Sequence, residues 1–268
     1  MSKYFLGIFI AAIFFMRCGV SRQPADAGSN RSVTVLTYNI HHANPPSKPG
    51  FIDAAAVAAV IRQQQPSLVA LQEIDVHTGR SGNTLHEAEA IAKQTGMQFY
   101  FARAIDYDGG EYGIALLSKY PIEKVVNYAL PVTAGTGGEP RVLAMVLVKL
   151  PGMGKCWFAG THLDAQKNDA NRVAQINQII ALLKGAQWPV IIAGDLNAVP
   201  GSAVINTLDR HFTRTCLTGC GFTIPEINPR KTIDYIAFTP GAFTVAAHSV
   251  VDAPYASDHL PVKAVLQY

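Results

Sequence analysis

The stretch Trp188-Pro-Val-Ile-Ile-Ala-Gly-Asp-Leu-Asn197 says most about how this chain folds. Its first half is a short apolar run, which is typical of a buried strand, so Asp195 and Asn197 lie just beyond the end of that strand. A carboxylate and a carboxamide two residues apart at such a place can hold water, a phosphate or a hard cation. The same two residues can also form an ordinary Asx turn. The stretch alone therefore leaves both interpretations open.

Other apolar runs in the chain also end in polar residues, and each has a structural and a functional interpretation. Glu73 is either an exposed loop carboxylate or a ligand for Mg²⁺ or Mn²⁺, and Asn39 is either a turn residue or an amide ligand for the same cation. The two histidines His162 and His259 could each be structural. Asp234 is different because a carboxylate among apolar strand residues needs a partner, and a histidine is the natural one.

Composition restricts the class of protein. The chain has 268 residues, 49% of them hydrophobic and only 15% charged, so it can bury a full core and is not disordered. The net charge of +3 is small, and no dense run of Lys and Arg is present. A nucleic-acid-binding protein usually carries a basic stripe or arm, so these features argue against that class.

The N-terminal segment differs from the rest of the chain. Lys3 precedes the apolar run Tyr4 to Met16, which is short for a membrane span and is typical of an export signal, with a buried helix as the alternative. Cys18 resembles the lipidated cysteine of a bacterial lipoprotein, although Arg17 stands where a small residue is usual. We therefore expect a leader over residues 1–18, a tether over residues 19–31, and a periplasmic or membrane-anchored bacterial protein.

Three further cysteines follow the leader. Cys216 and Cys220 could close a short disulfide loop in a protein that leaves the cytoplasm. A zinc site is not expected, because no second Cys or His pair stands at ligand spacing. Cys156 lies beside Trp157 in a predicted strand and is expected to be a buried apolar side chain.

The remaining pattern predicts many strands and few helices. Helices are expected over residues 54–65, capped by Asp53 and stopped by Pro66, over residues 84–95 with Gly96 as C-cap, and over residues 171–183. Strands are expected over residues 32–38, 67–71, 98–102, 113–118, 142–149, 156–161, 189–193, 233–238 and 261–266. This composition favours two sheets packed together with helices outside, in one domain over residues 32–268.

Six of these segments, taken together and in this order, resemble the endonuclease/exonuclease/phosphatase superfamily. They are Thr37-Tyr-Asn39, Leu71-Gln-Glu73, Gly160-Thr-His162, Gly194-Asp-Leu-Asn197, Ile233-Asp-Tyr235 and Ser257-Asp-His259. The resemblance covers the chain from about Val33 to its end. It implies an α/β fold of the α+β type, a four-layer sandwich of two central, mostly antiparallel β-sheets flanked by helices.

The resemblance also implies a role for each matching residue. Glu73 would bind Mg²⁺ or Mn²⁺, with Asn39 and Asp258 contributing to the metal site. Asp195 would orient or deprotonate the attacking water, and Asn197 would hold that water or a phosphate oxygen. His259, oriented by Asp234, and His162 would contact the scissile phosphate. Glu111 is the expected carboxylate partner of His162 on the substrate side, and Arg80 and Arg141 are either phosphate-binding residues or ordinary surface arginines.

The substrate is less well determined than the chemistry. The segments Glu73 to Gly82 and Arg103 to Gly113 resemble an exported bacterial branch of the superfamily, which is similar to a domain of proteins that remodel the lipid of GPI anchors. We expect a monomeric, metal-dependent phosphodiesterase or phosphatase acting on a small or lipid-linked phosphate. A secreted endonuclease is the alternative enzyme. A lipoprotein binding module that has lost catalysis is the alternative of another class, and the complete set of polar residues argues against it.

Overall fold

A computed structural model describes Met1 and residues 31–268 of the chain. The predicted leader, almost all of the predicted tether and Cys18 lie outside the described residues, so their assignments stay predictions. Within the described part, no helix is both long enough and apolar enough to cross a membrane.

The described chain alternates strands and helices from Ser32 to Gln267. The twelve strands are β1 Ser32–Asn39, β2 Leu68–Val76, β3 Gln98–Tyr107, β4 Gly110–Ser118, β5 Ile122–Ala129, β6 Val142–Leu150, β7 Gly154–His162, β8 Val190–Asp195, β9 Thr213–Arg214, β10 Asp234–Phe238, β11 Thr244–Val250 and β12 Val262–Gln267. The four α-helices are α1 Ala54–Gln64, α2 Glu87–Thr95, α3 Ala170–Leu183 and α4 Ala203–Asp209. A 3₁₀ turn, His41–Ala43, follows β1.

The strands form two six-stranded sheets. One sheet has the order β11-β12-β1-β2-β4-β3 and the other has the order β5-β6-β7-β8-β10-β9. Neighbouring strands are antiparallel except for β1 with β2 and β7 with β8, which are parallel. The prediction of two mostly antiparallel sheets is therefore confirmed, with one parallel pair near the middle of each sheet.

Three hydrophobic cores separate four layers. The two sheets face each other across a core that includes Val35, Leu116 and Phe158. Helices α1 and α2 cover the outer face of the first sheet, where Ile61 and Ile91 are fully or almost fully buried. Helices α3 and α4 cover the outer face of the second sheet in the same way. Each sheet is apolar on both faces, because each lies between its partner sheet and a helical layer.

Local signals in the sequence place several element ends correctly. The Asp53 side chain accepts a hydrogen bond of 2.9 Å from Ala56 N and caps α1. Gly96 has φ 67° and ends α2 in the left-handed conformation that glycine adopts without strain. Cys216 and Cys220, whose pairing the sequence left open, form a disulfide, and Cys156 is buried as predicted.

Several strands extend further than predicted, and the changes in β2 and β8 affect functional residues. β2 continues past Glu73 to Val76, and the register with β4 shifts between Gln72 and Ile74. Glu73 therefore lies in a bulge inside the strand, with φ 59°, rather than at the strand's end. Asp195 is the last residue of β8 rather than two residues beyond the predicted end of that strand at Ala193.

Glu87, at the start of α2, is a buried carboxyl group whose protonation state affects the stability of the fold. Burial raises its pKa from 4.5 to about 8, so the folded protein holds a proton that the unfolded chain releases between those two values. The free energy of unfolding therefore falls as pH rises through this window. We expect Glu87→Gln, which is neutral at every pH, to gain about 1–3 kcal/mol relative to wild type at pH 8 and much less at pH 4.5.

Thermal unfolding of both proteins at the two pH values measures this difference. Glu89→Gln is a matched control, because Glu89 is exposed in the first turn of the same helix. A gain that is equal at both pH values would show that Glu87 is ionised in the folded protein.

Candidate active site

The polar residues that end the apolar runs meet at one end of the sandwich. Asn39 ends β1, His162 ends β7, Asp195 ends β8 and Asp234 begins β10. The register explains the meeting, because Asp195 lies opposite both His162 on β7 and Asp234 on β10. The two sheets face each other, so the end of β1 in the first sheet lies against these residues of the second.

Asp195 is at the centre of this cluster and is almost completely buried. Its Oδ1 accepts a hydrogen bond of 2.8 Å from Asn197 N, and its Oδ2 accepts one of 3.2 Å from Asn39 Nδ2. The same Oδ2 lies 3.4 Å from His162 Nε2 and 3.8 Å from His259 Nε2. Burial, together with the nearby Asp234 carboxylate, raises the pKa of Asp195 to about 7.

His259 and Asp234 form a buried pair beside Asp195. Nδ1 of His259 lies 3.0 Å from Asp234 Oδ2, the orienting contact that the sequence predicted. Burial alone would lower the pKa of His259, but the Asp234 and Asp195 carboxylates outweigh it and raise this pKa to about 10. The imidazole therefore carries a proton at neutral pH, and its Nε2 faces the centre of the site.

The loop that carries His259 is fixed to the end of β1. Ser257 Oγ donates a hydrogen bond of 2.7 Å to Asn39 O and accepts one of 3.1 Å from His259 N. It also contacts Asp258 Oδ1 at 3.3 Å. These bonds hold the C-terminal loop in place although Ser257 and Asn39 are 218 residues apart.

His162 has a different partner from the one predicted. The Arg141 NH1 group lies 3.1 Å from His162 Nδ1, and Asn197 Nδ2 lies 3.1 Å from His162 Nε2, so a nitrogen donor faces each ring nitrogen. Burial and the Arg141 charge lower the pKa of His162 well below its usual value. One histidine of the site is therefore neutral and the other is protonated.

The prediction that Glu111 is the partner of His162 is wrong. Glu111 lies in β4, its side chain is 45% exposed, and its Oε1 is 3.8 Å from Arg103 Nε. Glu111 lies opposite Val76 on β2 and Asp106 on β3, and the His162 ring nitrogens contact Arg141 and Asn197 instead.

Both predicted phosphate-binding arginines already have protein partners. Arg80 makes a two-pronged ion pair with the buried Asp75, through Nε at 2.7 Å and NH2 at 2.8 Å, and its guanidinium lies over the Tyr107 ring. Arg141 is only 7% exposed and contacts Glu139 at 3.1 Å as well as His162. Arg141 therefore positions His162, and phosphate binding by Arg80 stays a prediction.

Glu73 and Asn39 lie where a divalent cation was predicted. Asn39 Nδ2 donates to Glu73 Oε1 at 3.0 Å as well as to Asp195, while Asn39 Oδ1 accepts from His41 N. Burial acts to raise the pKa of Glu73, but the nearby His42, the hydrogen bond from Asn39 and the neighbouring imidazoles outweigh it and hold this pKa well below its usual range. An ionised carboxylate with a carboxamide beside it suits the oxygen preference of Mg²⁺ or Mn²⁺.

A second group of acidic residues also has the spacing of a metal site. One ligand atom each from Asp195, Asp234 and His259 lie within 4.8 Å of one another, and all three residues are buried. Two of these residues are already hydrogen-bonded to each other, through Asp234 Oδ2 and His259 Nδ1. Glu73, whose side chain is 23% exposed, is more accessible to a hydrated cation, so we retain Glu73, with Asn39 and Asp258, as the predicted ligands.

The structure adds two residues that the sequence pattern did not single out. His42 Nδ1 lies 4.0 Å from Glu73 Oε2, and its backbone has φ 43° within the left-handed turn after β1. Tyr112 is buried on β4, and burial followed by the Glu73 charge raises the pKa of its hydroxyl. The His41-His42 pair, separated from Asn39 only by Ile40, was the available signal for His42, and nothing in the sequence marks Tyr112.

Comparison with known proteins identifies the family of this fold and site. The model of the Endonuclease/Exonuclease/phosphatase family matches residues 36–259. The chain belongs to this family. Members of the endonuclease/exonuclease/phosphatase family are hydrolases that act on phosphoester bonds and typically depend on a divalent metal. The matched range contains every residue of the cluster, from Asn39 to His259.

Individual family members are similar to the chain over most of its length. "Uncharacterized protein YbhP" of Escherichia coli (strain K12) is 29% identical over 182 residues, which are 62% of this chain and 67% of that protein. An endonuclease/exonuclease/phosphatase from Beutenbergia cavernae DSM 12333 has TM-score 0.73 and 26% identity, over 88% of this chain and 72% of that one. The Bacteroides thetaiotaomicron mannosyl-6-phosphatase Bt3783 has TM-score 0.68 and 19% identity over 88% and 100%, which shows a shared fold.

Proposed function

We propose that this protein is a Mg²⁺- or Mn²⁺-dependent phosphohydrolase that cleaves a phosphate ester by direct attack of water. The observation that carries the proposal is the buried Asp195, which is in contact with Asn39 and Asn197 and lies between a neutral and a protonated histidine. This arrangement offers a base, a proton donor and hydrogen-bond donors for phosphate oxygens within a few ångströms of one another.

Each side chain has a distinct task in this proposal. Asp195 accepts a proton from the attacking water, and its pKa of about 7 suits a general base at neutral pH. Protonated His259, held by Asp234, donates through Nε2 to a phosphate oxygen. His162, held by Arg141 at Nδ1, places its Nε2 beside Asp195 and Asn197, where it can contact a phosphate oxygen. Asn197 holds the water or a phosphate oxygen.

Glu73, Asn39 and Asp258 would hold the cation, which would stabilise the negative charge that develops on the phosphate oxygens. No covalent intermediate is required, because no serine or cysteine lies in a nucleophile motif.

For the substrate, we propose a small or lipid-linked phosphate outside the cytoplasm. The low net charge and the lack of a basic run support this choice over a polynucleotide backbone, which binds through many lysines and arginines. The apolar segment Tyr4 to Met16 supports export. A secreted endonuclease remains the alternative within the same chemistry.

A hydrolysis panel tests the proposal and separates these alternatives. The purified protein is assayed with Mg²⁺ on supercoiled plasmid, bis-p-nitrophenyl phosphate, p-nitrophenyl phosphate, phosphoinositides and sphingomyelin, with Asp195→Asn as the blank. Turnover limited to small or lipid phosphates supports the proposal. Plasmid nicking that the blank lacks supports the endonuclease, and no turnover of any substrate supports a binding module.

Metal removal is the second test. We expect EDTA to abolish turnover and Mg²⁺ or Mn²⁺ to restore it, because the ionised Glu73 would lose the cation that neutralises the phosphate. Glu73→Gln is expected to weaken Mn²⁺ binding at least about tenfold, as measured by calorimetry. Turnover that survives exhaustive chelation would exclude the metal mechanism.

A further inference from the structure

A groove leads away from the catalytic cluster, starting at Asn197. It has a volume of about 560 Å³ and runs between the loop after β7, the loop after β8 and the segment before β10. Val199, Ile224 and Ile233 contribute apolar surface, and Lys167 and Lys231 are the two lysines that line it. The mechanism described above uses none of these five side chains.

The chain fixes the backbone at both lysines. Lys231 closes a small hairpin in which its N donates to Ile224 O at 3.0 Å and its O accepts from Thr223 N at 2.7 Å. Lys167 follows Gln166, whose carbonyl, like that of Asp164, accepts a hydrogen bond from Arg172 NH1. Lys231 is three residues from Asp234 and Lys167 is five residues from His162, so both lysines lie close in sequence to residues of the site.

The charge of these lysines is not used within the described residues. Of the ion pairs formed by residues 31–268, none includes Lys167 or Lys231. Asp169 is the one acidic residue that also lines the groove, and it is exposed at the start of α3. Arg172 also lines the groove, but its NH1 is bonded to the carbonyls of Asp164 and Gln166. Two lysines beside an apolar surface, next to the proposed catalytic cluster, are groups that favour an anion on a partly apolar molecule.

We propose that this groove binds a second anionic group of the substrate, a phosphate or a carboxylate, while the scissile phosphate lies among Asp195, His162 and His259. The proposal rests on the proposed function and makes it more specific. The substrate is then a phosphate ester that carries a further negative charge on a short, partly apolar connection, which applies equally to a free metabolite and to a lipid headgroup.

Two matched pairs of phosphonates test this without turnover, because a C–P bond is not hydrolysed as an ester. Calorimetry in Mg²⁺ gives the Kd of 3-phosphonopropionate against propylphosphonate, and of 4-phosphonobutyrate against butylphosphonate. We expect at least one acid to bind wild type on the order of tenfold more tightly than its alkyl partner. The Lys167→Ala/Lys231→Ala double variant is expected to lose that preference and to bind alkylphosphonates as wild type does.

Lys93→Ala, at an exposed lysine on α2, is the matched control and is expected to keep the preference. Equal affinities of acid and alkyl partners for wild type, or a preference that survives in the double variant, would overturn the second anionic site while leaving the phosphohydrolase intact. Failure of wild type to bind any phosphonate would instead contradict the proposed function. The assignment of the groove as a second anion site would then be wrong as well, because it rests on that function. Lipid and free substrates are then distinguished by assaying a phosphoinositide against its deacylated headgroup.

Discussion

Replacement of Asp195 by asparagine is expected to lower phosphate-ester turnover at least about 10³-fold, since this removes the general base. The substitution preserves shape: an amide oxygen can still accept from Asn197 N, as Asp195 Oδ1 does at 2.8 Å. What is lost is the ability to accept a proton from water between the two histidines. The loss is therefore expected in kcat rather than in KM.

The same variant is expected to melt at the wild-type temperature or above it. Burial and the Asp234 carboxylate disfavour the ionised form of Asp195 in the folded protein, which its raised pKa records. A neutral amide avoids this cost, as in other active sites where function reduces stability. Thermal unfolding and steady-state kinetics on one preparation measure both effects.

Asp209→Asn is a suitable control, because Asp209 is paired with Arg214 at the end of α4 and makes no contact with the cluster. It is expected to leave turnover unchanged. If Asp195→Asn kept wild-type turnover while that control behaved as expected, the assignment of the base would be wrong.

The second large effect is expected at the Asp234–His259 pair. His259→Gln removes the protonated imidazole, and we expect turnover to fall about 10²- to 10⁴-fold. Asp234→Asn leaves the imidazole in place but removes the carboxylate that keeps it protonated and oriented through the 3.0 Å contact at Nδ1. Its loss is expected to approach that of His259→Gln.

A double-variant cycle distinguishes a pair from two independent residues. If Asp234 acts through His259, the double variant loses little more than His259→Gln alone, because the carboxylate no longer has an imidazole to hold. Losses that multiply would show that Asp234 contacts the reacting groups by another route. Circular dichroism is needed alongside, since Asp234 is buried and its variant leaves the neighbouring polar groups less well satisfied.

The parts of the fold that bury apolar side chains could be predicted from the sequence. β1, β8 and β10 are short apolar runs, and their polar ends at Asn39, Asp195 and Asp234 do meet. The edge strands β5 and β11 were not predicted, because their side chains are mostly exposed and carry no buried pattern. Helix α4 is only seven residues long and was missed for lack of a full amphipathic repeat.

The partner of His162 shows a limit of a different kind. Arg141 lies before β6 and His162 ends β7, and their contact depends on the hairpin register that pairs Leu143 with Thr161. Continued by one step, this register places Val142 opposite His162 and Arg141 one residue further along, so the hairpin brings Arg141 near His162 without pairing the two directly. The bulge at Glu73 has no comparable signal, because a strand that continues beyond a polar residue resembles one that ends there.

The pairing of β1 with β12 joins the first and last strands of the described chain. Ser257, Asp258 and His259 lie on the segment that leads into β12, and Ser257 is bonded to Asn39 at the end of β1. A nascent chain therefore lacks this histidine, and the strand β12 that pairs with β1, until residues 257–267 have emerged from the ribosome. A chain truncated before Ser257 would lack the proposed proton donor, so we expect it to be inert rather than partly active.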